Sequence, residues 1–489
     1  MSLYNRKSMA PELLDDVDFY PHQVEGVRRM CRMKNVILGD DMGLGKSLQA
    51  LAAFVADIKM SGMPATAIIV CPTSLRGNWA DEIEKFTTIP HLLLGQELHP
   101  RTGKLRTLSG EGRSSQIAEF AGWSGTKILV LNYEQVKPHL GELNALAARV
   151  AIFDEAHYIK NHSSVRTKAC LALFSERSLL LTGTPLLNHV GELWPLLHKV
   201  SPSSFKSYYA FMNRYCVFGG WNNKQVMSVK NQKELQTILD QVMIRRLKKD
   251  VLDLPDVQYI QVKVELHPKQ RKLYDQIEDE LRLESVDPLG ADTVVENALT
   301  QFLRLKQICG TPFTLGFEDD SYKLDAVIAR LLEKVDSGEK VVLFSQFRGV
   351  LEALRLRCIE VSIDTYSLNG DVPVGERQGL VKTWGEHLGG AVILCQSSVA
   401  GVGLNMTAAK IGFFVDKLFV PGLNQQCVDR MHRIGSSTTQ PVQIFEFIAK
   451  GTVESRVEAI LRSKKIVFDK VIGGAALIRK LLAALREAE

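Results

Sequence analysis

No stretch of the sequence approaches the roughly 20 apolar residues needed to cross a bilayer. The opening MSLYNRKSMAPELLDD also lacks the continuous apolar core of a secretory leader. A cytoplasmic or nucleoid-associated protein is therefore expected, nuclear if the source is eukaryotic. The eight cysteines, at 31, 71, 170, 216, 309, 358, 395 and 427, never form C-x-x-C and have no histidine pair at metal-ligand spacing nearby. They read as reduced, buried thiols, and disulfide-framework and zinc-ribbon classes drop out. Low-complexity tracts and short-period repeats are missing too. The charge balance, 60 Lys plus Arg against 55 Asp plus Glu, leaves only +5. That excess cannot by itself argue for a polyanionic partner, although it allows a local basic track.

What is present is a chain of 489 residues with 45% apolar and 24% charged residues, the balance of a folded soluble protein. It is too long for one ordinary core of about 100–200 residues. From about residue 20 to 200, NVILGD, TAIIVCP, KILVLNY, VAIFDEAH and SLLLTGTP alternate with amphipathic helical segments, the rhythm of a parallel sheet covered by helices. Between 201 and 320, QKELQTILDQVMIRRLKKDVL, KQRKLYDQIEDELRLE and VVENALTQFLRLKQI show helical spacing. The strand rhythm returns with EKVVLFSQF, GAVILCQSS, KIGFFVDK and PVQIFEFIA. The expected class is α/β, with two parallel-sheet lobes at 1–200 and 321–460, a helical insertion and connector at 201–320, and a helical segment at 461–489.

Asp40-Asp41-Met42-Gly43-Leu44-Gly45-Lys46-Ser47 follows a strand and opens a helix, the setting of a phosphate-binding loop, although Asp40 occupies the first consensus glycine position. Gly43 and Gly45 let backbone N–H groups close around phosphate, Lys46 reaches the β and γ phosphates, and Ser47 offers its hydroxyl to magnesium. Alone, the segment would also fit a glycine-rich turn with a solvated lysine. The adjacent carboxylates of Asp154-Glu155-Ala156-His157 follow a second buried strand. Asp154 suits a magnesium ion and Glu155 the attacking water. Alone, these acids would fit a helix N-terminus. Arg430 and Arg433, at R-x-x-R spacing, fall on one face of a helix and suit arginine fingers.

These blocks resemble, in order and spacing, the Swi/Snf-like branch of superfamily-two helicases, whose motor is built of two RecA-like lobes. The resemblance extends to Tyr20-Pro21-His22-Gln23, Cys71-Pro72-Thr73-Ser74-Leu75 with Asn78-Trp79, Leu181-Thr182-Gly183-Thr184-Pro185, Ile244-Arg245-Arg246-Leu247-Lys248-Lys249, Val342-Leu343-Phe344-Ser345-Gln346-Phe347, Gly401-Val402-Gly403-Leu404-Asn405, and the run from Gln426 to Gly435. It implies ATP and Mg2+ as cofactors. It also implies Gln23 on adenine and Gly403, Arg430 and Arg433 on the nucleotide, with His157, Thr182 and Thr184 coupling hydrolysis to movement. Thr73, Ser74, Lys160, Asn161 and Ser397 are implied as contacts to DNA, duplex or branched. The matching arginines lock the lobes in the family, so Arg245 and Arg246 are expected to be structural. Two departures stand out: Ser398 replaces a usual arginine, and His162 replaces a common proline, for which only a loop effect is expected.

Trp79, Trp194 and Trp384 are read as packing residues and Trp221 as capping an exposed loop. The implied function is ATP-driven translocation on double-stranded DNA by a monomeric motor, serving remodelling, reannealing, branch migration, replication, recombination or repair. The motor blocks nearly fill the chain, so a minimal engine of bacterial or viral type is expected. The alternatives are a strand-separating DNA or RNA helicase, the motor subunit of a restriction complex, or a catalytically silent scaffold.

Overall fold

A computed structural model describes residues 17–98, 105–183, 190–219, 225–252, 256–284, 291–400, 403–418, 421–433 and 440–455. The chain divides into two compact units, Met1–Val217 with Ser228–Leu252, and Phe218–Met227 with Asp253–Glu489.

The first unit holds a seven-stranded sheet: β1 (Val36–Leu38), β2 (Thr66–Cys71), β3 (His91–Leu93), β4 (Lys127–Asn132), β5 (Val150–Asp154), β6 (Arg177–Leu181) and β7 (Met243–Ile244). Their spatial order is β7-β1-β6-β5-β2-β4-β3, and every ladder is parallel. The inner strands are continuous runs of Ile, Val and Leu because helices bury both of their faces. Helix α1 (Pro21–Arg32) begins on a proline at its first position, where no N–H is needed. Helix α2 (Lys46–Ser61) buries Leu48, Leu51, Phe54, Val55 and Ile58 and ends on the left-handed Gly62.

The second unit holds β8 (Gln258–Val264), β9 (Lys340–Ser345), β10 (Thr365–Leu368), β11 (Ala391–Gln396), β12 (Ile411–Phe414) and β13 (Gln443–Ala449). They lie in the order β8-β13-β12-β9-β11-β10, again all parallel. Helices Tyr322–Asp336 and Arg348–Glu360 fill one face, while Trp384 and Met431 belong to the core on the other. A further cluster of Leu266, Tyr274, Phe302, Leu305 and Ile308 joins helices Pro268–Glu284 and Ala291–Gly310. The buried Lys323 donates to both oxygens of Glu454, at 2.8 and 2.9 Å.

The stretch read as a helical connector is thus not helical throughout. It contributes β7 to the first sheet and β8 to the second, and the chain crosses between the units at Val217–Phe218, Met227–Ser228 and Leu252–Asp253. β7 has only two residues, and β8 is a half-exposed edge strand without a continuous apolar run. Trp79, Trp194 and Trp384 are buried as expected. Trp221, Thr184, Gly401, Gly435 and the segment 461–489 lie outside the described residues. No helix among the described residues is long and apolar enough to cross a membrane.

Candidate nucleotide-binding site

The loops after β1, β6 and β5 leave neighbouring strands at their carboxyl ends, where open parallel sheets place ligands. Since β6 separates β1 from β5, the phosphate-loop and acidic-pair segments start about 10 Å apart, two strand spacings.

Within the loop, Gly43 and Gly45 take φ of 82° and 73°, left-handed values that a side chain would strain. A Cβ on Gly45 would stand 2.4 Å from the Gln23 amide nitrogen. The Lys46 ammonium folds back to donate to the carbonyls of Asp40 at 3.0 Å and Asp41 at 3.3 Å. Gly183, in the loop after β6, approaches so closely that its Cβ would meet Met42 Cγ at 2.6 Å and Lys46 Nζ at 3.5 Å. Ser47 occupies the first turn of α2. Gln23 is attached to the same loop: its amide donates to the Leu44 carbonyl at 3.3 Å, and its Oε1 accepts from the Tyr20 N–H at 3.1 Å.

Asp40, standing where a glycine was expected, is 0% exposed. Its carboxylate is gripped by Arg246, with Nε to Oδ1 at 3.0 Å and Nη2 to Oδ2, and it accepts from Gln49 at 3.2 Å. The same guanidinium donates to Gln49 Oε1 at 2.8 Å and to the His22 carbonyl. Arg245 donates to the Gly39 carbonyl at 3.2 Å, and the Lys248 N–H donates to Asp41 Oδ2 at 3.0 Å. Residues 244–248 therefore fasten the amino-terminal half of the phosphate loop. Arg246 is structural, and its bonds here lie within the first unit. Gln49 and the target of Arg246 were not foreseen, because only folding brings positions two hundred residues apart together.

At the end of β5 the Asp154 carboxylate accepts from Trp79 Nε1 at 2.9 Å and from the Glu155 N–H at 2.9 Å. Tyr133 Oη donates to the Asp154 carbonyl at 2.7 Å. Burial, with Glu155 beside it, pushes the Asp154 carboxyl up to about 6, while the Trp79 N–H and the Lys46 ammonium pull the other way. Glu155 takes a left-handed φ of 49°, which turns its side chain away from the strand, and its Oε2 lies 3.1 Å from His157 Nδ1. Thr182 is buried, with its N–H on the Leu38 carbonyl at 3.0 Å, so the β6 end is stitched to β1. Trp79 and Tyr133 were not read as site residues; a buried aromatic with one polar atom is indistinguishable from core until its partner is known.

The residues expected on DNA divide. Thr73 and Asn161 are exposed and Ser74 is half-buried on the carboxyl-end loops. Lys160 pairs with the buried Glu192 at 3.1 Å. Ser397 in the second unit departs from the expectation: it is 2% exposed, with its carbonyl accepting from Cys427 Sγ at 3.5 Å. A side chain packed beneath the strand end does not present its hydroxyl to a backbone phosphate.

Within the second unit, Gly403 has φ of 74°, and the Met406 N–H donates to the Arg430 carbonyl at 3.0 Å, so these two blocks meet. Arg430 and Arg433 do not share a helical face. The helix Pro421–Val428 ends before them, and tight turns follow, with the His432 N–H on Val428 O at 3.0 Å.

Residues 22–314 match the SNF2-related domain, and residues 322–435 match the helicase conserved C-terminal domain. The chain is 28% identical over 438 residues to an uncharacterized ATP-dependent helicase of Mycoplasma pneumoniae, covering 89% of this chain and 40% of that protein. It is 30% identical over 468 residues to the DNA annealing helicase and endonuclease ZRANB3 of Mus musculus, covering 93% and 41%. Among solved structures, the Sulfolobus solfataricus SWI2/SNF2 ATPase core in complex with dsDNA is similar, with 25% identity, a TM-score of 0.43, and coverage of 95% and 94%. The chain spans about 40% of the length of these two curated relatives. With one domain matched over more than half of its length and the second following directly, the chain belongs to the SNF2-related family.

Proposed function

We propose that the protein hydrolyses ATP and uses the energy to move along double-stranded DNA. The observation that carries this reading is the convergence, at the carboxyl ends of two strands with one strand between them, of a left-handed glycine loop with Lys46 and the buried pair Asp154 and Glu155. The loop's backbone and Lys46 hold the phosphates; charged phosphate oxygens are stronger acceptors than the carbonyls of Asp40 and Asp41 that Lys46 now uses. Gln23 stands against the same loop for the adenine edge.

The donor set fits magnesium, with a hydroxyl at the first turn of α2 and a carboxylate fixed by the Trp79 and Glu155 N–H groups. Ser47 and Asp154 would hold it, and it would neutralise charge on the β and γ phosphates. Glu155, oriented by His157, is assigned to position the attacking water, and Arg430 and Arg433 to stabilise charge on the transferred phosphoryl group. Thr182, with Thr184 and His157, is assigned to couple the site to movement.

The exposed Thr73 and Asn161 and the half-buried Ser74 on loops of that same sheet edge, with Lys160, suit phosphate contacts that ignore sequence, as a motor requires. Remodelling, annealing, branch migration, replication, recombination and repair are all tasks such a motor could drive. Steady-state ATPase rates with no nucleic acid, single-stranded DNA, duplex DNA, forked DNA and RNA test the reading, with Lys46→Ala as control. Duplex or forked DNA should stimulate wild type strongly and Lys46→Ala not at all. Stimulation by single strands or RNA alone would move the assignment to a strand-separating helicase.

A further inference from the structure

His162, expected to affect only its loop, is part of a cluster of five rings. It lies flat on Tyr208, with centroids 3.5 Å apart and planes inclined by 10°. Trp194 meets Tyr208 edge-on at 5.7 Å and stacks on His198 at 4.8 Å. Tyr209 stands edge-on to Tyr208 at 5.6 Å and to His162 at 6.3 Å. Four of these rings are buried or half-buried, but Tyr209 is 73% exposed.

A tyrosine so open gains little from its own burial. Its helix, Tyr208–Tyr215, turns Phe211, Met212 and Tyr215 to the core, so Tyr209 lies off the packed face. The backbone that carries it is nevertheless fixed. Ser207 Oγ caps the helix by accepting from the Ala210 N–H at 3.3 Å, which holds Tyr208 and Tyr209 in a formed first turn.

The surroundings favour a nucleic acid over a protein partner. Asn161 immediately precedes His162, Lys206 is exposed three residues before Tyr209, and the negative charge of Glu192 is neutralised by Lys160 at 3.1 Å. An exposed ring beside cationic and amide groups is the combination that grips unpaired nucleotides: the bases stack, and the charges follow the backbone.

We propose that Tyr209, backed by Tyr208 and His162, is a stacking platform for an unpaired nucleobase of DNA. It rests on the reading of the chain as a DNA motor and adds a substrate preference. Continuous duplex hides its base faces, so the platform selects forks, junctions and frayed ends.

The test compares wild type, Tyr209→Ala and Tyr209→Phe on a fork carrying 2-aminopurine in its unpaired arm and on a blunt duplex of equal length. Wild type should quench the fluorophore. Tyr209→Ala should lose the quench and bind the fork about five- to tenfold more weakly, the low end of measured stacking effects, with duplex binding unchanged. Tyr209→Phe should behave as wild type, because the face and not the hydroxyl is used. Fork affinity unaltered by Tyr209→Ala, or equal loss on fork and duplex, overturns the platform while leaving the motor standing. Absence of binding to either DNA by wild type overturns both. His162→Ala provides a second check, since removing the ring under Tyr208 should weaken fork binding in the same direction.

Discussion

A guanidinium that holds a buried carboxylate is costly to remove from one side only. Asp40 is fully enclosed and depends on Arg246 and Gln49, so Arg246→Ala should lower stability by about 3–5 kcal/mol, read from chemical unfolding midpoints. The double variant Asp40→Asn with Arg246→Gln removes both charges and should recover most of that loss. Recovery no better than for Arg246→Ala alone would mean that the charge pair is not what holds the loop. Lys199 offers a second residue-level check. Its ammonium donates to Leu173 O at 2.6 Å and Leu171 O at 3.4 Å, and burial pushes its pKa down to about 8. Below pH 8 the folded state carries the full penalty of a buried charge, and above 10.5, the ordinary lysine value, neither state does. Stability from this group therefore rises with pH between those values, by at most about 3 kcal/mol. Wild-type stability minus that of Lys199→Met should grow over this window in urea titrations, and a flat difference would show that burial does not hold the pKa down.

At the scale of elements, the phosphate loop depends on two left-handed glycines between β1 and α2. Gly45→Ala would have to keep φ near 73° and move the Gln23 amide, which lies 2.4 Å from the new methyl group. The left-handed conformation alone costs about 1–2 kcal/mol, and relaxing it re-aims the N–H groups at the start of α2. The KM for ATP should rise at least about tenfold, a larger effect than for Gly62→Ala. Gly62 is also left-handed, but it meets nothing nearby and lies at the far end of the same helix, so its change should affect stability and not KM. How legible each element was follows from burial. The nine inner strands were readable as continuous apolar runs, whereas β3, β7, β8 and β10 were not, and these four are the edges of the two sheets. An edge strand is covered on fewer sides, so its sequence need not be uniformly apolar, and β7 is pinned by ladders to β1 rather than by its own composition. The same contrast holds in the site. Lys46, Asp154 and Glu155 were readable because their chemistry fixes residue type and spacing. Trp79, Gln49 and Glu192 were not, because their roles are defined only by the partner that folding supplies. Ser397 was misplaced for the converse reason: its type suits a phosphate contact, but its position is covered.

For the whole molecule, the decisive question is whether the first unit hydrolyses ATP unaided. It contains the glycine loop with Lys46, the acidic pair and Gln23, while Arg430 and Arg433 belong to the second. If an arginine of the second unit completes the site, binding and turnover separate cleanly under mutation. Arg433→Ala leaves every phosphate-loop contact in place, so nucleotide affinity should change by less than about threefold, whereas kcat should fall by roughly 10³–10⁵, the range lost when an arginine finger is removed. Arg430, only 8% exposed, is packed within its own unit, so Arg430→Ala should lose stability together with turnover. Comparing the two variants by nucleotide binding, single-turnover hydrolysis and unfolding distinguishes a catalytic from a packing role. Wild-type turnover in Arg433→Ala would show that hydrolysis is completed without that side chain and would remove the reason for the chemistry to wait on the second unit.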